Sequence, residues 1–448
     1  MLAVTDQVAP SGIGRYRWVV CSLLFFATTI NYADRQILSL LKPILDVELR
    51  WTNEQFGVVN AAFQAAYAVG LLAFGAFVDR VGAKIGYAIS IAAWSVAAMG
   101  HALVGSVNGF LAARLGLGLG EGGNFPSAIK VVALWFPPGE RAYATALFNS
   151  GSNVGAIIAP AIVPWLALTF GWRSAFVGAG IAGLLWLLLW IPLYDLPERA
   201  ARLGAAELAH IRGGALGGPQ SMSGVATAVP IEGPEQKLAW SAILRHRQAW
   251  AFIAAKFLTD PVWWFFLIWL PDYFKKTRGL AIKNSWVHLV TIYAIVTVLS
   301  IGGGWLSGYL TRRGLTVTRA RKTAMFVFAC TVLPILLVTH VGNWAAVVLI
   351  GVAGASHQAW SANLFTSASD MFPKGAVATV VGIGSAAGSL GGILFPIYAG
   401  KLLDRFQALG DVTPGYAILF GICGSAYLIA FAINHLLAPT FAPVGDLH

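Results

Sequence analysis

Apolar runs long enough to cross ~30 Å of hydrocarbon, about 20 residues as a helix, recur along almost the whole chain. They fall near 17–40, 56–77, 85–105, 107–131, 143–167, 174–194, 248–271, 286–310, 323–341, 344–368, 379–402 and 415–437. The pattern predicts an all-α polytopic membrane protein with twelve transmembrane helices. The longest polar interruption, about 196 to 246, opens on the helix-prone PERAARLGAAELAHIR and continues as the Gly/Ser/Pro-rich SMSGVATAVPIEGPEQ. It reads as a cytoplasmic linker dividing six spans from six. The expected domains are an amino half, 1–195, a linker, 196–247, and a carboxy half, 248–448. Two parallel halves with a pathway between them at the midplane is a transporter layout. A trace of repetition agrees, since GAFVDRVGAK (75–84) and GYLTRRG (308–314) are both turns after a second span.

Composition sharpens this. Of 448 residues, 57% are hydrophobic and 11% charged, against roughly 25% charged for a soluble domain. The net charge of +11 does not point to nucleic acid, because the positive residues are spread over short loops. Roughly twice as many Lys and Arg fall on one side of the twelve spans as on the other, which places both termini in the cytoplasm. The first span is too long and too polar for a cleaved signal peptide. Cys21, Cys330 and Cys423 lie in apolar spans without CxxC spacing, so neither a disulfide framework nor a metal site is expected. There is no GxxxxGK[ST]. GLGEGG (118–123) fits a dinucleotide fingerprint only in letters, because it lies within an apolar span. Its glycines read instead as sites of close helix approach.

Charges inside the spans carry the candidate chemistry. A carboxylate or guanidinium at mid-membrane costs about 2.5 to 3.5 kcal/mol on insertion scales. Span 1 holds Asp34 and Arg35 in TTINYADRQ, and span 4 holds Arg114 and Glu121. Seven residues apart, Arg114 and Glu121 share a helix face, about 10 Å from each other. Asp34 and Arg35 point about 100° apart, whereas Asn31, Tyr32 and Arg35 share a face. One reading is a set of ion pairs holding span 1 to span 4. The other is a proton switch, since a carboxylate beside an arginine stays ionised and one from which the arginine withdraws takes a proton.

A hydroxylated ligand needs paired donors and acceptors. Span 5 offers Asn149, Ser152 and Asn153; span 10 offers His357, Gln358, Ser361 and Asn363; span 11 offers Ser385 and Ser389. Helix-to-helix hydrogen bonding accounts for the serines equally well, and His357 is as consistent with packing as with ligand contact. Trp263, Trp264 and Phe265 can present one face at most to a cavity. Lys256 and Asp260 at i,i+4 read mainly as a satisfied pair. Asp79 and Arg80 sit in a loop and are expected to gate conformational change, with Arg141 as a candidate partner for Asp79.

Gly75, Asp79, Arg80, Gly82 and Lys84 resemble the signature loop of the major facilitator superfamily. NYADR with RLGLGLGEGGNFP is similar to its anion:cation symporter family. KFLTDPVWWFFLIWLP and ASHQAWSANLFTSASDMFP are most similar to hexuronate transporters. The resemblance implies the major facilitator fold and proton-coupled import of an organic anion by alternating access. It implies proton coupling at Asp34 and Glu121 under the control of Arg114. It also implies substrate binding by Arg35 with Tyr32, Tyr67 and Asn31, and a contact at Ser152 or Asn153 where family members often carry glutamine.

The expectation is a non-enzymatic symporter of a sugar acid, a hexuronate such as galacturonate or glucuronate, in a bacterial cytoplasmic (inner) membrane. It would be a monomer driven by the proton gradient without cofactor or metal. The alternatives are an aldonate, a glucarate-like diacid or an aromatic acid as substrate, and, from another class, a non-transporting membrane receptor.

Overall fold

The computed structural model describes residues 14–216, 240–300 and 302–444; the linker segment 221–236 lies outside them. Helices follow one another as α1 (Tyr16–Leu49), α2 (Asn53–Val81), α3 (Ala83–Gly100), α4 (Val107–Glu121), α5 (Asn124–Trp135), α6 (Pro138–Phe170), α7 (Arg173–Leu193), α8 (Ala205–Leu216), α9 (Trp240–Ile243), α10 (Arg247–Arg278), α11 (Ile282–Ser300), α12 (Gly302–Arg312), α13 (Val317–Val332), α14 (Asn343–Met371), α15 (Lys374–Ala408) and α16 (Thr413–Leu437). Among the described residues, ten helical stretches are long and apolar enough to cross a membrane. The two expected spans missing from that set are the first and the fourth, which carry Asp34, Arg35, Arg114 and Glu121. Asn31, Asp34, Arg35, Gln36 and Lys42 lie in the middle of α1, and the fourth rod is broken into α4 and α5.

The break falls at Gly122 and Gly123, where the chain passes between α2 and α3. A Cβ on Gly122 would stand 2.4 Å from the Gly70 carbonyl carbon of α2, and one on Gly123 would stand 2.4 Å from Ser90 Oγ of α3. The φ of Gly122 is −57°, which any residue adopts. Space, not backbone freedom, therefore demands glycine. Gly122→Val should cost about 1–3 kcal/mol of overpacking, read as a lower melting midpoint of the purified protein. An unchanged midpoint would show that the contact relaxes freely.

α8 is anchored by Glu207, whose carboxylate is buried and accepts from the backbone N–H groups of Tyr16 and Arg17 at 3.0 Å each. An acid at a helix N-terminus satisfies donors that have no partner inside the helix. Arg17 adds ion pairs to Glu207 at 3.0 Å and to Glu140 of α6 at 2.8 Å. The start of the linker thus packs with the amino half.

Two halves, α1–α7 and α10–α16, meet at the end where α1 and α10 finish. Gly57 of α2 lies against the Pro396 carbonyl of α15, and Gly400 of α15 against the Asn53 backbone. Phe56 meets Trp269 edge-on at 5.2 Å. Among the described residues, every hydrogen bond between the halves given below lies at this end. At the opposite end the pairs stay within one half, as in Lys130–Asp79 and Arg321–Asp370. Among the described residues, hydrogen bonds close the halves together at one end, and none joins them at the other.

Candidate functional site

Halfway along α1, the Arg35 guanidinium donates through Nε to Glu121 Oε2 at 2.6 Å. The rings of Tyr32 and Tyr67 flank it at 4.7 and 4.3 Å, and Phe63 lies 5.5 Å away. Tyr32 is at i,i+3 on the same helix; Phe63 and Tyr67 arrive at i,i+4 spacing from α2. The shared face read from TTINYADRQ is therefore real, and α2 completes the aromatic ring around the cation. Arg114 of α4 is 1% exposed, lies 5.4 Å from the centre of the Phe63 ring, and leaves Nε and one terminal nitrogen without a hydrogen-bond partner among the described residues.

Asp34, about 100° around the helix from Arg35, does not share its ion pair. It is 1% exposed, and neither carboxylate oxygen has a hydrogen-bond partner among the described residues. It stays within electrostatic range of Glu121, Arg114 and Arg35. Asn31, fully buried, stands beside Glu121. Two acids and two guanidiniums therefore share one dry volume with a single direct ion pair between them. The direct partner of Glu121 is Arg35 and not Arg114. Two turns of the fourth rod hold Arg114 about 10 Å from Glu121, whereas the crossing of α1 sets Arg35 opposite it.

A cavity of about 20 Å³ opens beside this cluster, room for about one water. Arg35, Gln36 and Ser39 line it from α1 and Asn60 and Gln64 from α2; Arg114 closes the amino-half wall. The opposite wall is Trp264, Leu267 and Ile268 of α10. One side offers guanidiniums and amides, and the other an apolar plane. Gln36, Ser39, Asn60 and Gln64 were not among the expected contacts. A signal for them existed: Asn60, Gln64 and Tyr67 share one face of α2, and Arg35 and Ser39 one face of α1.

The carboxy-half residues expected to touch a ligand do not line this small cavity. His357 Nδ1 is 2.7 Å from Tyr427 Oη, and its ring stacks on Trp263. Trp264 alone of the three neighbouring aromatics reaches the cavity, while Phe265 is buried in the core. Gln358, Ser361 and Ser385 are half-buried. Asn363 donates to the Ala359 carbonyl at 2.9 Å and lines a separate cleft with Arg312 and Arg321. In α6, Ser152 donates to the Asn149 carbonyl at 2.7 Å and Asn153 is half-buried. The adjoining Gly151 and Gly155 press against the α1 backbone.

In the α2–α3 turn, Asp79 pairs with Lys130 of α5 at 2.9 Å. This corrects the expected Arg141 partner. Arg141 instead donates to the Phe136 and Ala133 carbonyls at 3.0 Å, satisfying the open C-terminal acceptors of α5. Arg80 borders a cleft with Phe74 and Phe77.

The closed end holds a network that sequence reading missed. The Lys42 ammonium donates to Asp46 at 2.8 Å, to Asn53 at 2.9 Å and, across the halves, to Asp272 at 3.0 Å. Asp272, fully buried, also accepts from Tyr416 Oη at 2.6 Å and pairs with Lys276 at 3.4 Å. Asp404 of α15 accepts the N–H groups of Asn53 and Glu54 at 2.8 and 2.7 Å. It caps α2 from the other half of the molecule.

Long apolar helices, hydrogen-bonded to one another at one end and packed around a buried charged cluster, define a multi-pass membrane protein. Residues 24–396 match the family model of the Major Facilitator Superfamily, and the chain belongs to that family. It is 30% identical to a hexuronate transporter of Escherichia coli (strain K12) over 91% of this chain and 90% of that one. It is 29% identical to a probable galactarate/D-glucarate transporter GudP of Bacillus subtilis (strain 168), over 87% and 86%. It is also 27% identical to a D-galactonate transporter of Escherichia coli O6:H1, over 88% and 90%. Among solved structures, a bacterial homolog of the human lysosomal transporter Spinster, inward-facing and occupied, shares the fold at 18% identity. Its TM-score is 0.73, covering 96% of this chain and 98% of that one. A D-xylose-proton symporter shares the fold with a TM-score of 0.72, at 15% identity over 95% and 99%.

Proposed function

We propose that the chain is a proton-coupled symporter that imports a sugar-acid anion, a hexuronate such as galacturonate or glucuronate, by alternating access. The observation that carries the reading is the buried Arg35, ringed by Tyr32 and Tyr67 and held by one acid, with a second acid, Asp34, committed to no cation. Arg35 accommodates a substrate carboxylate by releasing Glu121. A released Glu121 is a buried carboxylate without its cation, a costly state that a proton relieves. Anion and proton thereby enter together, because the anion and the Glu121 carboxylate compete for one guanidinium and the displaced carboxylate takes the proton. Asp34 supplies a second exchangeable proton position within reach of both arginines. Similarity to transporters named for hexuronates and related sugar acids supports the substrate class; the named galactonate and glucarate relatives make an aldonate or a diacid the second reading.

In the same proposal the protein is a monomer in the bacterial inner membrane, with both termini cytoplasmic. The closed end then faces outward, and the geometry is that of the inward-facing state. Arg114, which like Arg35 lies near the Phe63 ring, tunes the acids without binding substrate, and Asp79, Arg80 and Arg141 act at the inner turns.

Uptake of galacturonate into proteoliposomes should rise at least about tenfold with an inward proton gradient; a rate indifferent to the gradient would sink the symport reading. Glu121→Gln removes the competing charge. It should abolish gradient-driven accumulation while galacturonate counterflow at equal pH persists, and accumulation at the wild-type level would remove Glu121 from coupling.

A further inference from the structure

The apolar wall facing Arg35 belongs to one stripe of α10. Stepping back by four from Ile268, the stripe passes through Trp264, Asp260 and Lys256. The last two close an ion pair at 2.7 Å. Because both partners lie on one helix, the ion pair itself ties no element to another. Buried ion pairs are weak sources of stability and are often replaceable by apolar residues. An ionisable pair at membrane depth that staples nothing is therefore a functional group to be explained.

Burial within the pair is unequal. The Lys256 side chain is 7% exposed, its ammonium 4.4 Å from the centre of the Phe365 ring, whereas Asp260 is 19% exposed. The acid is the member that an incoming molecule meets. α15 crosses here on glycines. Gly384 lies against the Lys256 stem, Gly392 faces Trp264, and a Cβ on Gly388 would stand 2.2 Å from Asp260 Oδ2. The carboxylate packs against the Gly388 backbone, and α15 brings no side chain over it.

We infer that Asp260, charge-balanced by Lys256, is a specificity-determining acceptor for the hydroxylated end of the substrate and excludes a second carboxylate there. The inference rests on the reading that Arg35 holds a sugar-acid carboxylate. Trp264 and Asp260 are one turn apart, about 6 Å along the axis, a step that a six-carbon acid can bridge. A hydroxyl donates to the Asp260 carboxylate. A carboxylate at the same place meets like charge in a poorly hydrated site, the repulsive element that selectivity between similar ligands needs.

Isothermal titration of the full-length purified chain with galacturonate and with galactarate, the matching diacid, tests this. Wild type should bind galacturonate at least tenfold tighter. Asp260→Asn, which keeps shape and hydrogen bonding, should shrink that ratio at least fivefold, mainly by tighter galactarate binding. Lys256→Gln leaves the acid's charge unbalanced and should widen the ratio; it decides the matter if Asp260→Asn is not monodisperse. Equal binding of both ligands by wild type, or galacturonate binding with a ratio unmoved by the variants, overturns the inference alone. Binding of neither ligand by wild type overturns the sugar-acid reading of the site and this inference with it.

Discussion

Arg35→Lys should weaken galacturonate binding by about thirtyfold, read as loss of the ligand-induced rise in melting midpoint. Lysine preserves the charge, so Glu121 keeps a cation and the fold survives. What is lost is the planar fork that takes a carboxylate through two parallel bonds, and the stacking of that plane between aromatic rings. Tyr32 and Tyr67 stand within 5 Å of the guanidinium carbon, and cation–π attraction in a desolvated site is worth about 2 kcal/mol. A loss of that size corresponds to the stated thirtyfold. Unchanged binding would show that the substrate carboxylate is held elsewhere, with Arg114 the next candidate.

The second large effect concerns the network at the closed end. Asp272→Asn removes one of the two carboxylates, Asp46 and Asp272, that balance Lys42 and Lys276. Breaking a buried pair by neutralising one partner costs about 3–5 kcal/mol, because the other charge is left uncompensated. That cost falls only on the conformation in which the halves meet here, since the Lys42–Asp272 bond spans them. The balance between closed and open forms should therefore move by more than about a hundredfold toward opening at this end. Spin labels at Arg50 and Asp411, both exposed, should show a longer distance population in the variant. An unchanged distance distribution would mean that helix packing alone, at Gly57–Pro396 and Gly400–Asn53, holds the end shut.

Both predictions show which parts of the molecule could be read from the chain and which could not. Span positions, the two-half layout and the buried charges of spans 1 and 4 follow from apolar run length and from the cost of charge in hydrocarbon. Local spacing also placed Tyr32 beside Arg35 and closed Lys256 onto Asp260, because three or four residues along a helix fix neighbours without help from elsewhere. The same rule limited the reading of span 7 to one cavity-facing aromatic, and the structure chose Trp264.

Partners on different helices were not legible. Arg35 meets Glu121 across 86 residues, Lys42 meets Asp272 across 230, and Asn53 meets Asp404 across 351. Asp79 took Lys130 in place of Arg141 because the Arg141 fork was already used by the free carbonyls of α5. His357 was committed to Tyr427 and Trp263, so a histidine that spacing made available to a ligand is spent inside its own half.

The sequence by itself determined that this is a membrane-embedded helical transporter with a charged centre, because length, hydropathy and the cost of buried charge are properties of each segment alone. Which acid faces which base, which end is shut, and that Asp260 lies on the stripe that walls the Arg35 cavity were decided only by the tertiary structure. Those relations depend on the rotation and separation of whole helices, and these are set by close contacts at Gly70, Gly122, Gly388 and Gly400 between residues far apart in the chain.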